Sequence, residues 1–248
     1  MKVDAIVDAL QLPPASWVDQ RIAKKLLIEH GAPTAADRRL IQDGVEETTW
    51  LAALKPELLG TPPFRDVTRE YLEIALVRLR PREGAHFPRL TELVHRAIPY
   101  PVLLLVEGPA SGVSLAHKRQ SQAEAEKVVL DGEPVGVDVG DHATDAAFLQ
   151  ALALSLQPNA SLFALYQGWM DAVIALQAAQ HTGRFQLATS ADQAQARRTA
   201  LAAVLDLQAR IQQLDKAARS ASQMARQVEL NIALQQARQQ LADARARL

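Results

Sequence analysis

The stretch Arg96–Gln120, RAIPYPVLLLVEGPASGVSLAHKRQ, decides how the first half of this chain is read. An apolar run, Val102 to Val106, meets a glycine-marked break between Gly108 and Gly112. A second strand-like run then delivers Ser114, His117, Lys118 and Arg119. Two such runs around a short Gly-containing connection predict a hairpin, and adjacent strands favour an α+β sheet over a doubly wound parallel one.

Working outward, Pro88 opens FPRLTELVHRAI, where Leu90, Leu93, Val94 and Ala97 share one helical face. Before it, VEETTWLAAL and REYLEIALVRLR are rich in Thr, Trp, Tyr and branched residues. Leu72, Ile74, Leu76 and Leu79 approach the alternation of a half-buried strand. VDAIVDAL predicts a short helix ended by Pro13 and Pro14. PTAADRRLIQDG predicts another, with Thr34 and Asp37 in a capping arrangement and Gly44 at its end. After the hairpin, EKVVL with Asp131 and Gly132 offers one more strand.

Twelve of the 13 prolines precede residue 135, and Gly183 is the last glycine. The texture therefore changes from turn-rich to helical. DAAFLQALALSL and SLFALYQGWMDAVIALQAAQ predict helices, and residues 190–248 contain neither Gly nor Pro. Val204, Leu207, Ile211, Leu214, Ala218, Ala221, Ala225, Val228 and Ile232 alternate spacings of three and four, as coiled-coil seams do. Leu234, Ala237, Leu241, Ala244 and Leu248 continue that spacing two places out of phase. The terminal segment is thus one bent helix or two helices meeting between Ser220 and Gln227. The expected architecture is an α+β head over residues 1–143, with a mixed, mainly antiparallel sheet and covering helices. An all-α half, 144–248, follows and ends in a coiled-coil-like helix. Val204, Leu207, Ile211, Leu214, Val228, Ile232 and Leu241 are the expected partner-interface residues.

The net charge is −1, with 17 Lys and Arg against 22 Asp and Glu up to residue 145 and 10 against 6 beyond it. That balance argues against nucleic-acid binding by bulk electrostatics. The chain has no cysteine, which removes disulfides, thiolate zinc sites and thiol nucleophiles. The N-terminus lacks the pattern of a signal peptide, and no apolar run approaches the ~20 residues of a membrane span. A cytoplasmic protein without membrane contact is expected.

The residues that could carry chemistry are His95, His117, Lys118 and Glu107. An imidazole beside cations suits proton transfer to a phosphoryl oxygen, and Glu107 could face Lys118 across the hairpin as in a metal-dependent nuclease. Glu46, Glu47, Glu70 and Glu73 are further acids on the strand candidates. The same residues also read as structure: basic groups at a helix end favour its negative pole, and a charged strand edge discourages aggregation. Contacts to a ligand or nucleic acid could come from Arg96, Ser114, His117, Lys118 and Arg119. In DQRIAKKLLIEHG, Arg21, Lys24 and Lys25 fall at helical spacing and could form a basic face. Trp17, Trp50 and Trp169 read as core or interface residues. No phosphate-cradling Gly-rich loop, dinucleotide fingerprint, nucleophile elbow or H-E-x-x-H is present, and no cofactor or metal is expected.

The blocks RIAKKLLIEHG, EETTWLAALKPE, REYLEIALV, HRAIPYPVLLL, SLAHKRQ and QVELNIAL, in this order between Arg21 and Leu241, resemble the bacterial family catalogued as domain of unknown function 4391. The resemblance brings no established reaction and no catalytic assignment. It implies a small accessory protein encoded beside helicases and DNA methyltransferases of restriction-like, anti-phage islands. The expected function is a non-catalytic accessory subunit docking through its C-terminal helices onto a helicase, a methyltransferase or a second copy of itself. The rival expectations are a metal-dependent nuclease or phosphodiesterase centred on His117 and Lys118, and a DNA-binding head with the helices as spacer.

Overall fold

The computed structural model describes residues 3–108, 111–124, 127–140 and 142–248. They divide into two compact units, one running to Val173 and one from Ile174 to Leu248.

The first unit contains α1 (Val3–Leu10), β1 (Trp17–Arg21), α2 (Lys24–Gly31), α3 (Ala35–Gly44), β2 (Val45–Leu54) and the short α4 (Pro56–Leu59). Then come β3 (Phe64–Arg65), β4 (Glu70–Tyr71), β5 (Ile74–Pro81), α5 (Phe87–Ala97), β6 (Val102–Val106), β7 (Ser111–Leu115) and β8 (Lys118–Gln120). β9 (Val128–Leu130), β10 (Val135–Val139), α6 (Ala143–Ala151) and the start of α7 (Leu162–Thr182) complete it. Six strands form one sheet in the order β1-β2-β5-β6-β7-β10, while β3 with β4 and β8 with β9 form small ribbons. β5 and β6 are parallel, joined through α5, and the other pairs of the main sheet are antiparallel. The sheet is therefore mixed and mainly antiparallel.

The expected β6–β7 hairpin forms, with Leu103 opposite Leu115 and Val106 opposite Gly112; residues 109–110 of its connection lie outside the described residues. Val77, Leu79, Val102 and Leu104 point to one face of the sheet and pack with Leu27 of α2, Ile41 of α3 and Leu90, Leu93 and Val94 of α5. Residues of the opposite parity, Ile74, Leu76, Leu103 and Leu105, are fully buried as well. On that second face Asp4 of α1 lies 3.8 Å from Arg78 of β5, and α6 packs on α1. Burial on both faces explains why β5 and β6 read as continuous apolar runs.

Local chemistry sets the helix positions. Thr34 caps α3 by accepting from the Asp37 backbone N–H at 3.1 Å. The Asp37 carboxylate receives Arg89 of α5 through two bonds, at 2.8 and 2.9 Å. Arg89 and Thr34 hold that carboxyl down to about 2. A side chain at Gly31 would stand 2.5 Å from the Leu93 carbonyl oxygen, so only glycine lets α2 approach α5 this closely.

Two local expectations are corrected. REYLEIALVRLR is not one alternating strand: it splits into β4 and β5 around a bend, with Leu72 exposed and Ile74 to Leu79 buried throughout or nearly so. The segment starting at Asp19 is not one helix either. Arg21 ends β1, paired opposite Thr49, and the helix begins only at Lys24.

In the second unit, the end of α7 is closed by Gly183 at φ +73°, and α8 (Ala191–Ser220) and α9 (Met224–Arg245) pack together as a helical pair. The terminal segment is thus two helices, broken at 221–223, inside the expected meeting stretch between Ser220 and Gln227. Ser190 caps α8 by accepting from the Gln193 N–H. Among the described residues no helix is long and apolar enough to cross a membrane.

Candidate functional site

The polar residues singled out in the opening stretch gather where β7 passes into β8, at the C-terminal end of α5. The reason lies in the proline spacing. In a helix the His95 carbonyl would be paired by the N–H of residue 99, and the Ala97 carbonyl by that of residue 101. Both positions are proline and have no N–H to give. The Lys118 ammonium group or amine supplies the missing donor to the His95 carbonyl oxygen and also bonds that of Ile98, the residue that follows the helix. Lys118 is 3% exposed, and burial alone pulls its pKa down to about 7.

His95 is fully buried on the sheet-facing side of α5, where its Nε2 lies 3.0 Å from Ser114 Oγ on β7. Burial, with Lys118 nearby, pushes its pKa down to about 3, so the ring is neutral. Histidine and serine at this spacing resemble a base and its nucleophile. Both are closed off from solvent, however, and Nδ1 of His95 has no partner to orient the ring. The pair ties α5 to β7.

His117 occupies a different environment. The Gln167 amide donates to Asp171 Oδ1 at 2.8 Å, leaving Gln167 Oε1 to accept from His117 Nε2–H at 2.9 Å. Nδ1 then accepts the Tyr71 hydroxyl at 2.5 Å. Burial lowers the His117 pKa, opposed by the Gln167 bond, and raises that of Tyr71. The ring stacks on Phe163 at 5.1 Å, and Phe163 stacks in turn on Phe64 at 4.8 Å. Arg69 stands 5.5 Å from the Phe163 centroid and binds Asp131 through Nε at 2.9 Å and Nη2 at 2.5 Å. The Asp131 N–H returns to the His117 carbonyl at 2.8 Å. Both imidazole nitrogens are committed, so this arrangement holds the β7–β8 turn against α7 and leaves no lone pair for a reacting group. Beneath it the Tyr166 hydroxyl donates to Val102 O at 2.7 Å and accepts from Ala116 N–H at 2.8 Å, clamping the ends of β6 and β7.

Beside Lys118 opens a cleft of about 180 Å³ walled by Leu72, Pro99, Tyr100 and Val128, with Glu70, Arg119 and Gln120 also on its lining. Leu72 and Tyr100 are each more than two-fifths exposed, so the apolar wall reaches solvent.

Several expected groupings do not form. His95 and His117 do not share a rim, because one is sealed between α5 and the sheet and the other bonds Tyr71 and Gln167. Glu107 does not face Lys118: it pairs with Arg80 at 3.1 Å, which also holds Glu47. HKR is no solvated edge, since Lys118 is buried and His117 largely so. Arg119 lies 3.7 Å from Asp131, and Arg96 bonds Glu92 on its own helix. Arg21, Lys24 and Lys25 do not lie on one helix, although Arg21 and Lys24 remain close enough to repel. Arg21 lies on β1, Lys24 donates to the Gln42 carbonyl at 2.9 Å, and Lys25 pairs with Glu29. Trp169 is core, with its indole N–H on the Leu152 carbonyl at 2.9 Å, whereas Trp17 is 43% exposed. Among the described residues no group of three acidic or histidine side chains gathers as metal ligands.

Sequence reasoning missed Tyr71, Phe163, Tyr166 and Gln167. One signal was available: Phe163, Tyr166 and Gln167 are spaced i, i+3, i+4 and so share a helical face. The Arg69–Asp131 pair spans 62 residues of chain and left no local trace.

No curated protein and no solved structure matches the chain. A family model does, over residues 10–241, which takes in the whole sheet, the Lys118 cleft and most of α9; the chain belongs to the family described as Domain of unknown function (DUF4391).

Proposed function

We propose that this chain is a non-catalytic accessory subunit of a cytoplasmic, DNA-targeting bacterial defence assembly, docking through its C-terminal helices onto a helicase or DNA methyltransferase of that assembly. The observation that supports this reading is the two-sided apolar character of α9. Leu230, Leu234, Ala237 and Ala244 are its buried face. On the opposite side Met224, Val228 and Ile232 recur every four residues and are 80%, 53% and 52% exposed. At 100° per residue the two stripes are centred roughly 160–180° apart, so one helix presents an inner and an outer apolar edge. A helix that only packed on its neighbour would carry one. Leu205 of α8, 59% exposed, adds a further apolar residue. Each square ångström of apolar surface covered by a partner is favourable by roughly 25 cal/mol.

The test is co-expression of the full chain with any helicase and any DNA methyltransferase found encoded beside it, followed by co-purification and light scattering. The wild type is expected to co-purify with one of them, and the double variant Val228→Glu, Ile232→Glu to lose it while keeping its melting temperature. A chain that stays monomeric beside both proteins, or a double variant that still binds, refutes the reading. Self-association abolished by the same variant would replace the proposed partner with a second copy.

A further inference from the structure

We infer that Lys118 is a carbonyl-reactive amine on the floor of the Leu72–Tyr100 cleft, able to take up a small aldehyde or ketone with an aromatic or branched apolar body as a Schiff base. The geometry begins with the two carbonyls that Nζ touches, those of His95 and Ile98. Neither can bond to a lone pair, so each must receive an N–H. A neutral amine has two such hydrogens and one lone pair. In the neutral form, with both hydrogens held on the His95 and Ile98 carbonyls, the lone pair is the one group left on Nζ and is directed away from them. Lys118 also lines the cleft, whose other walls are Leu72, Pro99, Tyr100 and Val128. A nucleophilic amine normally needs an apolar surrounding and a fixed orientation, and this one has both.

The charged groups around the cleft do not reverse that reading. Glu70 is paired with Arg65, and Arg119 lies beside Asp131. His95, which donates its carbonyl to the site, has a neutral ring. Burial of Lys118 lowers its pKa to about 7, so a large share of the amine is unprotonated near neutrality.

The reaction balances without oxidant or reductant. Nζ attacks the carbonyl carbon and a C–N bond forms. The carbonyl oxygen gathers protons and leaves as water, and a protonated imine remains, the net proton coming from solvent. That product keeps one N–H, so one of the two carbonyls gives up its donor, and its positive charge sits at the helix's negative end as the lysine ammonium would.

The experiment uses the intact wild-type chain, benzaldehyde and cyanoborohydride at pH 7, with the alkylated lysines quantified by peptide mass spectrometry. Lys118 is expected to react at least about ten-fold faster than Lys55 or Lys127, since an ordinary lysine is protonated at all but roughly one part in a thousand. Its rate should rise to half-maximum near pH 7, whereas theirs climb through pH 9. Labelling of Lys118 no faster than Lys55, or none at Lys118, overturns the inference. The readout comes from the wild type, so it does not depend on whether a Lys118 variant folds.

Discussion

His95 gives the first unit a specific sensitivity to acid. Its ring is fully buried and its pKa lies at about 3, against 6.5 in an exposed histidine. Between those values the unfolded chain binds a proton that the folded chain refuses, so stability falls as pH descends from 6.5 towards 3. From pH 7 to pH 5 this one group removes about 2 kcal/mol, at about 1.4 kcal/mol per unit once below its ordinary pKa. Urea unfolding at both pH values should show the wild type losing that much more than His95→Gln, which keeps an amide to meet Ser114 but cannot titrate. Equal losses would mean the ring is protonated inside the fold. Lys118 acts in the same direction at higher pH. With a folded pKa of about 7, it makes the folded state gain stability as pH rises from there towards the usual lysine range. These residues were visible in the sequence as candidates, but their roles were not. Whether HKR is a solvated edge or a buried cap depends on Pro99 leaving the His95 carbonyl unpaired, and on the chain returning β8 to meet it.

At the scale of elements, α9 separates packing from surface within 22 residues. Leu234 is 7% exposed on the inner face and Val228 is 53% exposed on the outer. Leu234→Ala should destabilise the α8–α9 pair by about 2–3 kcal/mol, as truncation of a buried leucine does. Val228→Ala should change stability by less than about 0.5 kcal/mol, as an exposed position does. Chemical denaturation followed by helix circular dichroism distinguishes the two, and comparable effects at both sites would show that the outer stripe is already covered. The helices were legible because periodicity is local: the window expected for a break, Ser220 to Gln227, contains the one observed at 221–223, and within α9 the second seam, Leu234, Ala237 and Ala244, is the buried one. The first seam continued too far, since Val228 and Ile232 face outward. A heptad count registers spacing but cannot tell which of two apolar edges meets the neighbour. The strands were legible where one run paired with the next, as in β6 and β7. β1 was missed because its pairing with β2 is a contact between distant segments, while Arg21, Lys24 and Lys25 alone fit a helix equally well.

For the molecule as a whole, charge sets what can be expected of nucleic-acid binding. The net charge is −1, and many of the basic residues are already bonded to neighbours. Arg69 and Arg119 serve Asp131, Arg80 serves Glu47 and Glu107, and Arg96 serves Glu92. In the helical unit Arg219 pairs with Asp215 and Arg226 with Glu229, while Arg197 donates to the Gln186 carbonyl. An arginine already holding a carboxylate must lose that bond to take a phosphate, and affinity from counterion release needs several cations at once. The expected outcome is therefore weak, nonspecific association with duplex DNA. Fluorescence anisotropy with a labelled duplex should give a Kd above about 10⁻⁵ M at 150 mM salt, with a shallow salt slope corresponding to one or two phosphate contacts. A Kd in the nanomolar range that weakens 10³-fold between 50 and 200 mM salt would require six or more contacts. The ion pairs of the first unit would then have to open on binding, and Asp131→Asn, which weakens the hold on both Arg69 and Arg119, would tighten it. Since pairing is what withholds these cations, Asp131→Asn should bind duplex more tightly than the weakly binding wild type, and equal binding would show that the ion pairs are not the reason for the weakness.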